Sequence, residues 1–164
     1  MPDPPAFPVA VELAAACIDG THTDVAVLGF SNCVVVLATQ LASVACLVHA
    51  VTSRLADAAD HAADPQRLAD CLAADAPVDL RFLLGNPAAS AASSLYQILA
   101  TTVAQRKLHA SPADARPVIL GIGLRLPRPY NLPAADGHDS AADLPALSPT
   151  ITALAELVDK CRVW

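Results

Sequence analysis

The chain has 164 residues and a mass of 16.9 kDa, the size of one domain, which excludes large multidomain enzymes. Ten Lys and Arg against sixteen Asp and Glu give a net charge of -6, and the basic residues form no run, so a nucleic-acid partner has no electrostatic support. Hydrophobic residues make up 54% of the chain, but 35 residues are alanine, whose methyl buries little area, so the core is of ordinary size.

The chain opens as MPDPPAFP over residues 1–8. An acid stands where a secretory leader carries basic residues, and the prolines oppose a helix, so this stretch reads as a disordered tail. Cys17, Cys33, Cys46, Cys71 and Cys161 are odd in number and form no CxxC pair. They read as reduced, buried thiols of a cytoplasmic protein.

Val9 to Cys17 and Asp24 to Leu28 flank an Asp19-Gly20 turn pair and are expected to form a hairpin. Phe30, Ser31 and Asn32 separate the second strand from a third, Cys33 to Thr39, and Ser43 to Val51 makes a fourth. Hairpin spacing of this kind predicts an antiparallel meander. Val25 to Ser53 holds 29 residues without Lys, Arg, Asp or Glu, long enough to cross a bilayer. Gly29, Ser31, Asn32, Gln40 and His49 interrupt it, however, and its β-branched content favours successive strands over one helix.

Residues 53–77 form an Ala/Asp-rich insertion in which Asp64 and Pro65 suggest the start of a short helix. Asp57, Asp60, His61 and Asp64 fall at spacings of three and four. They could gather around a cation on a helix, but with no second ligand cluster a solvated acidic face is the better reading.

Val78 to Leu84 alternates strictly, as a half-buried strand does. Asn86-Pro87 begins a helix whose apolar positions are Leu95, Ile98, Leu99 and Val103, ending near Lys107, His109 and Pro112. From Arg116 to Leu126 the period returns to two. Leu120, Ile122, Leu124 and Leu126 share one face, and Gly121 and Gly123 leave the other open to a close backbone. Residues 125–148 form a Pro-rich loop. Ser148-Pro149 is the expected start of a last helix with Ile151, Leu154, Val158 and Cys161 on one face.

The residues offer no catalytic set of nucleophile and base or of paired acid and base. Cys33 lies in an apolar strand with no cationic neighbour to activate it. Cys46 and His49 have CxxH spacing, but on a strand they point to opposite faces. The GIGL at Gly121 to Leu124 lacks the third glycine of a dinucleotide loop and sits within the strand. The terminal CRVW has Cys161 where a prenylation box has its cysteine, but Arg162 and Trp164 do not fit one. What remains is a packing problem: Cys33 to Ala38 is apolar on both faces, so its sheet needs cover on both sides. The helices suffice for one face. The other calls for a partner protein or a second copy, and the chain reads as a binding module.

The order of four strands, an excursion, strand, helix, strand and helix ending in CRVW resembles the proteasome assembly chaperone 3 family. The resemblance is carried by Thr23, Val25, Phe30, Ser31, Val36, Thr39, Gln40 and Leu47 in the second to fourth strands. Leu83-Leu84-Gly85, Val118 to Leu120, and Cys161, Val163 and Trp164 add to it. It implies a single α+β domain, with about six antiparallel strands and two main helices packed on one face. It further implies pairing with a proteasome assembly chaperone 4-like protein, binding of 20S proteasome α subunits, no enzymatic activity, no cofactor or metal, and no membrane partner. The expected contact residues are Phe30, Ser31, Thr39, Gln40, Leu84, Gly85, Arg162 and Trp164. Two rivals stand beside this reading. One is a homodimeric scaffold in vesicle trafficking, and the other is a thiol-dependent enzyme using Cys33, Cys46 or His49.

Overall fold

The Asp19-Gly20 pair makes the two-residue turn that its composition favours. Both residues have positive φ, 50° and 72°, the type I′ geometry whose twist matches that of the strands it joins. The computed structural model describes residues 9–41, 43–52, 77–85, 91–125 and 144–164. They form β1 (Ala10–Ile18), β2 (Thr21–Gly29), β3 (Val34–Thr39), β4 (Cys46–Thr52), β5 (Val78–Leu84), α1 (Ala91–Ala110), β6 (Val118–Gly123) and α2 (Leu144–Lys160). The result is an α+β fold, one mostly antiparallel six-stranded sheet with two helices. The long uncharged stretch from Val25 is the end of β2, then β3 and β4. Among the described residues no helix is long and apolar enough to cross a membrane.

The meander is correct from β1 to β3 and from β4 to β5, but not between β3 and β4. The strand order is β1-β2-β3-β6-β4-β5, with β6 parallel to β3 and antiparallel to β4. The cause lies in β5-α1-β6. Both strands of this unit run the same way, and parallel strands need a crossover, which α1 supplies above β4. β6 takes the central slot because it tolerates burial on both faces: Val118, Leu120 and Ile122 are buried on one, Gly121 and Gly123 on the other.

With β6 in between, the β3–β4 connection must cross the end of β6, and Gly123 permits this. A Cβ there would sit 1.8 Å from the Ser43 carbonyl oxygen. The glycines thus do admit a close backbone, as their pattern suggests.

Both helices lie on the same face, α1 over β4, β5 and β6, and α2 over β1 and β2. Leu95, Leu99 and Val103 of α1 are buried as expected, but Ile98 is exposed. The buried row continues instead through Tyr96, Ala100, Ala104 and Leu108, where small residues let α1 lie close to the sheet and to α2. α2 begins at Leu144, earlier than the expected Ser148-Pro149, so Pro149 lies inside the helix. Its core face of Ile151, Leu154, Val158 and Cys161 is as expected. Arg106 and Asp159 tie the helices together at 2.6 Å.

The tail at residues 1–8, the acidic group of Asp57, Asp60, His61 and Asp64, Cys71, and residues 126–143 of the Pro-rich loop lie outside the described residues.

Candidate functional site

Strand pairing fixes which side chains share a face, since residues directly opposite in an antiparallel ladder point the same way. Val25, Val27, Val34, Val36, Ala38, Cys46, Val48, Ala50, Val118, Leu120 and Ile122 face the helices and are buried. The intervening residues form the opposite face. Leu13, Ala26, Leu37 and Gly121 run across it from β1 to β6, and Leu47 and Leu84 continue it through β4 to β5.

No described helix lies over this second face. Leu13 is 73% exposed, Leu84 57% and Val11 47%, while Val35, Leu37, Ile119 and Leu47 are half-buried by their neighbours. Leu37, Leu47 and Val44 close over Gly121. An open depression of about 500 Å³ lies between β1, β2 and β3, lined by Leu13, Ala15, Asp24, Ala26, Leu37 and Thr39 among others. Among the described residues the charges on this face are few: Asp24, with His22 3.0 Å from it, and Asp79 and Arg81 on the edge strand β5.

The eight expected contact residues fall into two groups at opposite ends of the sheet. At one end Thr39 and Gln40 close the loop over β6. The Thr39 hydroxyl donates to the Ser43 carbonyl at 3.2 Å and accepts from the Leu41 N–H at 3.1 Å. The Gln40 amide donates to the buried Thr23 hydroxyl at 2.9 Å and accepts from the Arg125 N–H at 2.9 Å. Leu84 and Gly85 end β5 beside them. Gly85 has φ 66°, and a Cβ there would lie 2.0 Å from the Ala45 carbonyl oxygen, so its side is filled by backbone. Leu84 remains exposed, because the β4–β5 pairing shifts register between Leu47 and Val48 and turns both Leu83 and Leu84 outward.

At the other end, the Phe30 N–H donates to the Cys33 carbonyl at 2.9 Å, closing the β2–β3 turn with Ser31 exposed at its tip. Val163 packs over Gly29 and Trp164 against the core. The indole N–H of Trp164 is buried with no hydrogen-bond partner among the described residues. Arg162 is exposed, 3.8 Å from Asp159.

A buried charge cluster braces this second end, and residue spacing alone does not reveal it. Lys107, 3% exposed, donates to the Asp114 carbonyl at 2.6 Å and lies 3.3 Å from its carboxylate. Arg116 holds the same carboxylate through two nitrogens and donates to the Phe30 carbonyl at 2.6 Å. The Arg116 hydrogen bonds hold the Asp114 carboxyl well below the usual carboxylate range, against its burial. Burial pushes the Lys107 ammonium down while Asp114 opposes that shift. Every partner is internal, so the cluster anchors the β2–β3 turn and the end of α1 to the start of β6.

The cysteines differ from expectation. Cys46 and Cys161 are buried, but Cys17 is exposed on β1 and Cys33 is only half-buried. Cys33 precedes β3 rather than lying in it, and Arg116 is its electrostatic neighbour. Cys46 and His49 do point to opposite faces. Burial pushes the Cys46 and Cys161 thiols up, away from the nucleophilic thiolate.

No protein-family model matches the chain, and no curated protein matches it. Among solved structures it is similar to a chain in the crystal structure of a novel chaperone complex for yeast 20S proteasome assembly. The TM-score is 0.54 and the identity 8%, over 92% of this chain and 96% of that one. At this identity the likeness is one of fold.

Proposed function

We propose that this chain is a proteasome assembly chaperone that pairs with a related protein, of the proteasome assembly chaperone 4 kind, and promotes assembly of the 20S α-ring. The observation that carries the reading is the apolar sheet face opposite the helices, on a fold similar to that of a chain in a yeast chaperone complex for 20S proteasome assembly. An apolar surface of several hundred Å² generally marks an interaction site, and a stable interface takes roughly 800 Å² from each partner. On this reading the open face, Leu84 included, meets the related chaperone, while the sheet end that exposes Ser31 and Arg162 meets α subunits. At the other end the polar atoms of Gln40 and the backbone at Gly85 are already engaged within the chain, while Thr39 lines the depression in the open face as well as closing its own loop. The protein acts by binding, in the cytoplasm, without a catalytic step or a cofactor.

Co-expression with a proteasome assembly chaperone 4-like protein and the α subunits, followed by affinity purification of this chain, tests the reading. A stoichiometric complex containing both is expected. Recovery of this chain alone would sink it.

A further inference from the structure

Among the described residues β1 is a sheet edge, and its own sequence lacks the usual protections. It has no proline, no lysine and one charge, Glu12, and it pairs with β2 over nine residues without a bulge. Natural edges are normally blunted by such devices because an unpaired row of N–H and C=O groups templates a further strand.

The type I′ turn fixes which groups point outward. In a two-residue hairpin the residues flanking the turn, Ile18 and Thr21, form a hydrogen-bonded pair. Alternation along the strand then turns the backbone of Ala10, Glu12, Ala14 and Ala16 toward β2. The N–H and C=O groups of Val11, Leu13, Ala15 and Cys17 face away from the sheet, and the side chains of these four residues are exposed on the open face.

We propose that β1 joins two copies of this chain, edge to edge and antiparallel, about a two-fold axis at Ala14. The inference rests on β1 alone and is independent of the chaperone reading. The strand complements itself in this register. Each outward residue meets another outward residue, Val11 opposite Cys17 and Leu13 opposite Ala15, so each larger side chain lies beside a smaller one. On the helix side Ala14 meets Ala14 and Glu12 meets Ala16, which keeps the two carboxylates apart. An unrelated extended peptide would supply the hydrogen bonds but not this matched sequence. The contact is isologous and closes at two copies, extending the apolar face instead of covering it.

Analytical ultracentrifugation of the full chain over a concentration series is expected to show a monomer–dimer equilibrium. Ala15→Pro removes an outward N–H and no inward one, a substitution edge strands tolerate. It should weaken the dimer about tenfold or more while circular dichroism stays unchanged. Leu13→Lys, at a side chain that is already largely exposed, should do the same. The register is tested by Val11→Cys. A hydrogen-bonded cross-strand pair has its Cα atoms about 5.5 Å apart, within the disulfide range. With diamide taking up the two thiol hydrogens, this variant should give a covalent dimer through Cys17 of the second copy, and Val11→Cys with Cys17→Ser should not. A monomer at every concentration overturns the proposal. So does a dimer that ignores both edge variants and does not cross-link, since the copies would then meet elsewhere. Capture of a chaperone partner is a separate readout and stands or falls without affecting this one.

Discussion

At Gly123 a single methyl group decides whether the chain can cross over β6. The added Cβ would meet the Ser43 carbonyl oxygen at 1.8 Å, and that oxygen belongs to backbone already tied to Thr39. Neither side can give way cheaply, so Gly123→Ala should destabilise the protein by about 1–3 kcal/mol in urea unfolding. Gly20 makes the contrast: nothing lies within 4 Å of its added Cβ, and the cost arises only from φ 72°, about 1 kcal/mol for Gly20→Ala. Both glycines were legible in the sequence, one as half of a turn pair and the other as a gap in an alternating strand. Thr39 and Gln40 were not, because a polar residue after a strand looks the same whether it faces a partner or closes its own loop. Their bonds reach 4, 17 and 85 residues away, and the two longer spans exceed any local pattern. In the sequence Lys107 reads as a cation ending a helix. Its burial depends on Asp114 folding back from the next loop, which spacing alone does not reveal.

The join between α1 and β6 depends on Asp114, which is shared between Lys107 and Arg116. Asp114→Asn keeps the shape and removes the charge, leaving Lys107 buried without its counterion. Breaking such a pair costs about 3–5 kcal/mol when fully buried, and the partial exposure of Arg116 puts the expectation at the lower end. The carboxyl is held below its unfolded value, so its contribution is fully present above roughly pH 4 and is lost as pH falls through the folded value. Thermal unfolding from pH 6 to pH 2 should therefore show a steep loss of stability below about pH 4 in the parent chain. Asp114→Asn should lower the stability at pH 6 and flatten that slope; an unchanged slope would mean that other carboxylates dominate the acid limb. At this scale the sequence carried the elements but not their order. Strand, long helix and strand over 78–126 is the pattern of a crossover unit, and it was present to be read. The hairpin-like spacing between β3 and β4 favoured a meander because six linking residues also suffice to step over a neighbouring strand end.

Among the described residues one sheet face is shielded by helices and the other is bare, and leucines on the two should behave differently. Leu120, fully buried beneath the helices, should lose about 2–5 kcal/mol as Leu120→Ala, whether or not a partner is present, because a cavity opens in a packed layer. Leu84 on the opposite face is 57% exposed, and Leu84→Ser should change the stability of the isolated chain by no more than about 0.5 kcal/mol. Leu37, half-buried above Gly121, should cost about 1 kcal/mol as Leu37→Ser, since it loses only its neighbours' partial cover. If the bare face is where the related chaperone docks, the pair of variants on it should cut co-purification sharply while leaving the unfolding midpoint of the lone chain nearly in place. The need for such a face followed from β3 being apolar on both sides, which set the sheet's requirement for cover above what two helices provide. A Leu37→Ser variant as unstable in isolation as Leu120→Ala would mean that the chain already covers both faces by itself, and the argument for a docked partner would lose its physical basis.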